Sequence, residues 1–290
     1  MSPDLEQWYA DLLRLYPKAY REERAGEMLA TVVEAERPVV RETAALILGA
    51  LRARAGLAGL TSPGQWWLSA LRLTVLVLVA HATALAGAKA GRIVFSDLLQ
   101  GRGLALPSDL GHVGAFVTGG LALLAFAAAR YLSGILLAAA TFVLTLWALS
   151  WYPTFMFTLV DGEFWPLPLA MLLAVPLLLW PPRPAARPVW WLLAVPVALL
   201  VLPTAFDASL GWQPYALLAL GVVALLWTVV DARVAIAAGG LFVVQVLTLI
   251  SFWTPGWSSH PVGPFLLIYT GYAAVLVAAG YAGIRRQADL

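Results

Sequence analysis

The sequence contains no cysteine and few charged residues, and each shortage excludes a class of protein. Without cysteine, disulfides, thiolate metal ligands and cysteine nucleophiles are excluded. Charged residues make up 12% of the chain and hydrophobic residues 61%, whereas soluble domains carry roughly a quarter charged residues. The net charge of +2 is too small to indicate nucleic acid as a partner. The composition therefore predicts a membrane protein with the lipid bilayer as its surroundings.

The common catalytic and metal-binding motifs are also missing. The sequence has no Walker motif, no nucleophile elbow and no HExxH, which excludes ATP hydrolysis and the common hydrolase mechanisms within this chain. Its 3 histidines do not stand at the spacing of metal ligands. We therefore predict neither a metal site nor a cofactor.

The charges that are present concentrate at the N-terminus. Residues 1–54 hold eight of the 18 Lys and Arg residues and nine of the 16 Asp and Glu residues. Such a shift in composition marks a domain boundary. We predict a small cytoplasmic module at 1–56, a linker at 57–66 and a membrane domain at 67–290.

Helix start and stop signals divide the module into three short helices. Ser2-Pro3 is a helix start, Pro17 ends that helix, and the second helix is predicted from about 19 to 35. Pro38 opens the third helix and Gly56 ends it. Three short helices have little core of their own, so we expect their apolar faces, with Trp8 and Leu15 in the first helix and Val40 and Ile47 in the third, to dock on each other and on the membrane domain or its headgroups.

One stretch of the module resembles a known family. Tyr16-Pro17, Tyr20-Arg21 and Gly26-Glu27-Met28 resemble the short cytoplasmic prefix that precedes permease-like multi-pass membrane proteins of actinobacteria. The resemblance covers about thirty residues, and it implies a membrane protein without implying a reaction. We predict that Tyr16, Pro17, Tyr20, Arg21, Glu27 and Met28 belong to a docking element for a protein partner, either a cytosolic subunit or a second copy of this chain.

Apolar runs long enough to cross a bilayer predict an all-α, polytopic fold with about eight transmembrane helices. The predicted spans are about 67–88, 112–129, 132–152, 164–181, 189–206, 214–230, 234–253 and 264–284. Arginine in the connections lies mostly on the side of the module, and three of the opposite connections contain no Lys or Arg. The positive-inside rule then predicts a plasma (inner) membrane protein with both termini in the cytoplasm.

Two segments of the membrane domain are similar to each other. "ARYLSGILLAAATFVLTLWALSWYP" from Ala129 and "ARVAIAAGGLFVVQVLTLISFWTP" from Ala232 align at an offset of 103 residues. Four spans per half predict a 4+4 parallel repeat about an axis along the membrane normal. Chance similarity between sequences rich in Leu, Ala and Val is the alternative.

Polar residues in this greasy domain define two candidate sites. His81 and Thr83 in the first span, with Gln245 and Thr248 in the seventh, form a candidate intramembrane polar site. Hydrogen bonding between helices is the alternative role for these side chains. Asp161, Glu163 and His260 lie in predicted outer loops, where the carboxylates bind a cation, act as acid and base, or line a hydrated turn. The loop 89–111 is predicted to hold a short helix on the membrane surface.

Two functions remain open at this point. The first is a non-enzymatic membrane protein: a permease-like transporter component, or the membrane partner of a transport or signalling complex, with an apolar or lipid-like ligand. The second is an intramembrane lipid-modifying enzyme that uses His81 or the Asp161 and Glu163 pair.

Overall fold

A computed structural model describes residues 3–34, 39–54, 62–99, 107–151, 165–180, 213–252 and 262–288. These residues form helices and turns, with no strand among them. They divide into two compact units between residues 54 and 62. An all-helical fold with a small N-terminal helical unit is therefore present.

The first unit consists of three helices: α1 (Pro3–Leu13), α2 (Lys18–Glu34) and α3 (Val39–Arg54). Their bounds agree with the sequence prediction within a few residues. Tyr9 and Leu13 are buried one turn apart on α1, and Tyr16 is buried in the bend that follows this helix. They pack with Leu46 and Ala50 of α3. The unit therefore has a small core of its own.

The second unit begins with α4 (Pro63–Leu99), the longest described helix. Ser62 caps its start by accepting the N–H of Gln65 on its hydroxyl at 3.4 Å. The predicted loop from Lys89 is wrong, because the helix continues to Leu99. Residues 89–99 contain no proline, and polar side chains do not interrupt backbone hydrogen bonding. The predicted short surface helix is thus the last part of α4.

Six more helices complete the described part of this unit. They are α5 (Pro107–Ala127), α6 (Tyr131–Ser150), α7 (Pro166–Leu179), α8 (Gln213–Trp227), α9 (Ala232–Phe252) and α10 (Val262–Ala288). Five helices are long and apolar enough to cross a membrane: Gly64–Gly91, Leu110–Ala127, Tyr131–Ser150, Ala232–Ile250 and Gly263–Arg286. Pro166–Leu179 and Leu217–Trp227 are apolar but shorter. The predicted span 189–206 lies outside the described residues, so eight spans stay a prediction.

Helix α4 lies at the centre and packs against α5, α7, α9 and α10. It buries Val75, Leu78 and Val79 completely. The other long helices leave large apolar side chains exposed, such as Leu136 at 63% and Leu267 at 77%. Exposed leucine of this kind suits a helix that faces lipid.

Close contacts set the direction of α5 relative to α4. Thr83 of α4 lies against Gly119 of α5, and Arg72, further towards the start of α4, bonds to Ala127 at the end of α5. The two helices are therefore antiparallel. Helix α6 is antiparallel to α5 in turn, since the Thr118 and Thr141 hydroxyls are 2.9 Å apart and Gly111 lies against Ala148.

Helix α9 runs parallel to α4. Ser69 bonds to Arg233 near the start of both helices, and Thr74 lies against Gly240 one to two turns later. Helix α8 is joined to α9 by a short turn that ends at Asp231, so α8 runs the opposite way. Helix α8 is therefore antiparallel to both α4 and α9.

The two halves of the proposed repeat do not pack alike among the described residues. Helix α5 lies closely along α6, whereas α8, its counterpart, makes a smaller contact with α9. Helix α9 instead lies closely along α10. This packing gives the 4+4 repeat no support, and the repeat stays a prediction.

Candidate functional site

The residues of the prefix resemblance lie partly inside the N-terminal unit. Tyr16 is buried and its ring stacks on Tyr20 at 5.3 Å. The Arg24 guanidinium lies 5.9 Å from the centre of the Tyr20 ring. Tyr20 and Met28 pack against the core. These residues mainly hold α2 against α1 and α3. Among the predicted docking residues, Glu27 is exposed to solvent.

Burial in this core changes the ionisation of the Tyr16 side chain. Loss of solvation, with a smaller effect of nearby Tyr20, raises the pKa of Tyr16 above its ordinary value of 10.0. Its hydroxyl lies against Gly49 of α3. The folded unit therefore favours the neutral phenol.

Several large apolar side chains of this unit are exposed, although the sequence pattern assigned them to buried helix faces. Trp8 is 51% exposed and Val40 82% exposed, and Leu15 and Ile47 are also exposed. Helical periodicity found these residues but could not say whether their face is covered.

The threonines of the predicted intramembrane site are satisfied within their own helices. The Thr83 hydroxyl donates to the carbonyl of Val79 at 2.7 Å, and the Thr248 hydroxyl donates to that of Val244 at 2.9 Å. Thr74, also in α4, bonds to Ala70 in the same way. Such bonds allow hydroxyls to lie inside an apolar bundle, and they leave the threonines without a chemical role of their own.

His81 is the most deeply buried of the predicted site residues, with 4% of its surface exposed. Its Nδ1 atom is buried and has no hydrogen-bond partner within the described part of the chain. The i, i+7 spacing places His81 on the same face of α4 as Thr74, which contacts α9. The register of α4 and α9 brings Gln245 and Thr248 to about the same level. Thr83 faces α5 instead, so the four predicted residues do not form one cluster.

The other predicted site cannot be compared with the structure. Asp161, Glu163 and His260 lie outside the described residues. Within the described ranges, no group of three His, Cys, Asp or Glu side chains could hold a metal ion.

A buried ion pair at the start of α9 was not found by sequence reasoning. The guanidinium of Arg233 donates from Nε to Asp231 Oδ1 at 2.9 Å and from Nη2 to Oδ2 at 2.7 Å. The Asp231 carboxylate also accepts the backbone N–H of Arg233 at 3.0 Å, as an N-cap does. Nη1 of Arg233 donates to the Ser69 hydroxyl at 2.7 Å. An aspartate just before a helix and two residues before an arginine was the available signal.

A second arginine lies at the same end of the bundle. Arg72 donates from Nη2 to the carbonyl of Ala127 at 2.7 Å. Its Nε atom is buried and has no partner among the described residues, and neither has the hydroxyl of nearby Tyr131. The turn between α5 and α6 holds Ala129 at φ 58°, a left-handed conformation that is costly for alanine. Two polar groups thus converge at this turn without a described carboxylate.

Comparison with known proteins identifies no relative: no family model matches the chain, and no curated protein or solved structure is similar to it.

Proposed function

We propose that this chain is a non-enzymatic integral membrane protein, the membrane partner of a transport or signalling complex, that binds a cytosolic protein through its N-terminal unit. A permease-like component is the kind of membrane domain that we infer. The observation that best supports this proposal is the apolar surface of the N-terminal unit, which stays exposed although the unit has a core of its own.

The exposed side chains lie on two helices. Trp8 and Leu15 are seven residues apart on and just beyond α1, and Val40 and Ile47 are seven apart on α3. This spacing places Val40 and Ile47 on one side of α3, whereas Leu15 lies in the turn that follows α1. Exposed tryptophan is typical of residues that dominate binding at protein interfaces. The two stripes therefore suit a protein partner.

The charges around these stripes favour a protein over an anionic lipid surface. Arg14 pairs with Asp11 at 3.2 Å and Lys18 pairs with Glu22 at 3.7 Å, and all four side chains are solvent-exposed. Exposed ion pairs contribute little to stability, so these groups can exchange partners at an interface. Their mixed sign provides no net attraction to anionic headgroups.

The directions of the described helices support the predicted eight-span topology. Helices α6 and α9 both run parallel to α4, and α8 runs opposite to them. The chain must therefore cross the membrane an even number of times between α6 and α8. The predicted spans at 164–181 and 189–206 meet this condition together. With them, both termini lie on one side, which we infer to be the cytoplasm.

The enzyme alternative finds no support among the described residues. His81 lies twelve residues beyond Ser69 on α4, about 18 Å away at about 1.5 Å per residue. The carboxylate of Asp231, at the level of Ser69, is already paired with Arg233. No described acid thus stands beside His81, and an apolar or lipid-like ligand remains the ligand class that we propose for the membrane domain.

The docking proposal can be tested by photo-crosslinking in cells that express the full chain. A photoreactive amino acid at position 8 or 47 should crosslink one cytosolic protein, and the same residue at exposed Glu23 should not. Ile47→Glu should abolish this crosslink at position 8 and lower the affinity of the purified partner about tenfold or more. Glu23→Ala is the matched control and should leave the affinity unchanged.

Three results would contradict the proposal. Equal crosslinking from positions 8 and 23 would show unspecific contact. Binding of the purified partner that survives Ile47→Glu would place the interface elsewhere. Crosslinks from position 8 to a second copy of this chain alone would replace the cytosolic partner with self-association.

A further inference from the structure

The two arginines at the inner end of the bundle differ in what neutralises them. The guanidinium of Arg233 is paired with the carboxylate of Asp231 and bonded to Ser69. Arg72 is partly buried, and among the described residues it bonds through one nitrogen to the neutral carbonyl of Ala127. A partly buried charge without a counter-charge is costly. The surroundings of Arg72 therefore favour an anion.

Tyr131 adds a second donor at the same place. Only 4% of its surface is exposed, and its buried hydroxyl has no hydrogen-bond partner among the described residues. Arg72 bonds to the carbonyl of Ala127, four residues before Tyr131, so both residues lie at the turn between α5 and α6. A buried hydroxyl without a hydrogen bond is rare, because losing its water costs free energy that a partner normally returns. An anion near Arg72 would accept the hydrogen bond that Tyr131 has to donate.

The start of α6 points to the same charge. Arg130 stands at the N-cap position and makes no side-chain hydrogen bond to the first turn. The N–H groups of a first helical turn attract negative charge. Helix α9 meets this need with the carboxylate of Asp231, whereas the N-cap residue of α6 is a cationic arginine.

We propose that Arg72, Tyr131 and the first turn of α6 bind the phosphate of an anionic phospholipid. The donors around this turn are positive or neutral, which suits a phosphodiester. Leu124, Leu132 and Leu136 are exposed on α5 and α6 beside the turn, so acyl chains can lie along these helices. A free phosphate would gain nothing from these leucines. This lipid would lie in the inner leaflet, and only that choice of leaflet rests on the proposed topology.

Lipid binding to the purified full chain tests this site. The probe is phosphatidylglycerol added to the protein in neutral detergent, with the bound fraction measured by native mass spectrometry. Arg72→Gln should weaken binding about tenfold, because it removes a charged hydrogen bond. Tyr131→Phe removes the hydroxyl alone and should weaken binding about threefold. Arg286→Gln removes an exposed charge in the last turn of α10 and should leave lipid binding unchanged.

Each other outcome overturns the proposal. If the wild-type protein retains no phosphatidylglycerol, there is no specific site at Arg72. The same conclusion holds if Arg286→Gln weakens binding as much as Arg72→Gln does. Inorganic phosphate that displaces the lipid at equal concentration would identify a free-phosphate site. If Arg72→Gln does not fold, Tyr131→Phe decides, and undiminished binding by that variant refutes the site. Partner crosslinking at position 8 is independent of these residues, so the two proposals fail separately.

Discussion

Single side chains at the end of the bundle where α4 and α9 begin decide how buried charge is tolerated. The Asp231 carboxylate caps α9 and forms a two-point ion pair with Arg233. The Arg233 side chain also ties α9 to Ser69 of α4, 164 positions earlier. One aspartate therefore neutralises a charge, starts a helix and helps to fix a helix pair.

Removing this carboxylate should be more harmful than removing the whole pair. Asp231→Asn leaves the buried Arg233 uncompensated, and we expect the free energy of unfolding in detergent to fall by about 3 kcal/mol or more. The double variant Asp231→Asn, Arg233→Gln should recover part of this loss. Thermal unfolding measures both. A double variant less stable than Asp231→Asn alone would contradict this account, and Arg286→Gln is the charge-removal control.

A pH effect is expected in the N-terminal unit. The pKa of Tyr16 is raised in the folded state, so folding holds the proton more tightly than the unfolded chain does. Stability is therefore fully present below the ordinary pKa of 10.0 and declines as the pH rises above it. The ultraviolet difference titration between wild type and Tyr16→Phe should show one tyrosine that ionises above this value. A difference curve centred at or below the ordinary pKa would refute the burial effect.

At the scale of elements, glycine brings the membrane helices into close contact. A Cβ atom on Gly119 would lie 2.6 Å from the Thr83 hydroxyl of α4, whereas one on neighbouring Gly120 would meet nothing within 4 Å. Small residues at helix crossings are the usual way in which membrane helices gain packing contacts. At the level of Thr83, the α4–α5 crossing thus needs Gly119 and not its neighbour Gly120.

These two glycines make a matched pair for mutagenesis. Gly119→Ala should lower the free energy of unfolding by about 1–3 kcal/mol, because the added methyl group overpacks the crossing. Gly120→Ala should be neutral or stabilise by up to about 1 kcal/mol, because alanine favours a helix. Thermal unfolding in the same detergent compares them, and equal effects would show that the crossing is not tight at Gly119.

At the scale of the whole molecule, the described helix directions constrain the topology. The C-terminal end of α6, at Ser150, and the turn before α9, at Val229, must lie on opposite faces if all the long helices cross the membrane. The turn after α5, at Ala128, must share the face of Val229. These relations follow from helix contacts and not from the distribution of charge.

The natural absence of cysteine allows a direct test of this topology. Single cysteines at Ala128, Ser150 and Val229, all exposed positions, can be labelled in intact cells with a membrane-impermeant maleimide. We expect labelling at position 150 without permeabilisation, and labelling at 128 and 229 only after it. Positions 128 and 229 on opposite faces would contradict the helix directions and the eight-span prediction together.

Local signals in the sequence determined much of this protein. Long apolar runs predicted the membrane helices, and the cap residue with proline at Ser2-Pro3 predicted the start of α1. The same signal at Ser62-Pro63, where α4 begins, lay in the predicted linker. These features depend on neighbouring residues alone, since a helix forms its own backbone hydrogen bonds. The same reasoning failed at Lys89, where polar residues continue the helix instead of ending it.

Only the tertiary structure decided which residues meet. A membrane helix is apolar on all sides, so periodicity could not show that Thr74 faces α9 while Thr83 faces α5. In the N-terminal unit, periodicity identified Val40 and Ile47 but not that their face stays exposed. The contacts of Arg72 with Ala127 and of Arg233 with Ser69 join residues far apart in sequence. Such contacts depend on how helices pack, because no local pattern records the partner of a side chain.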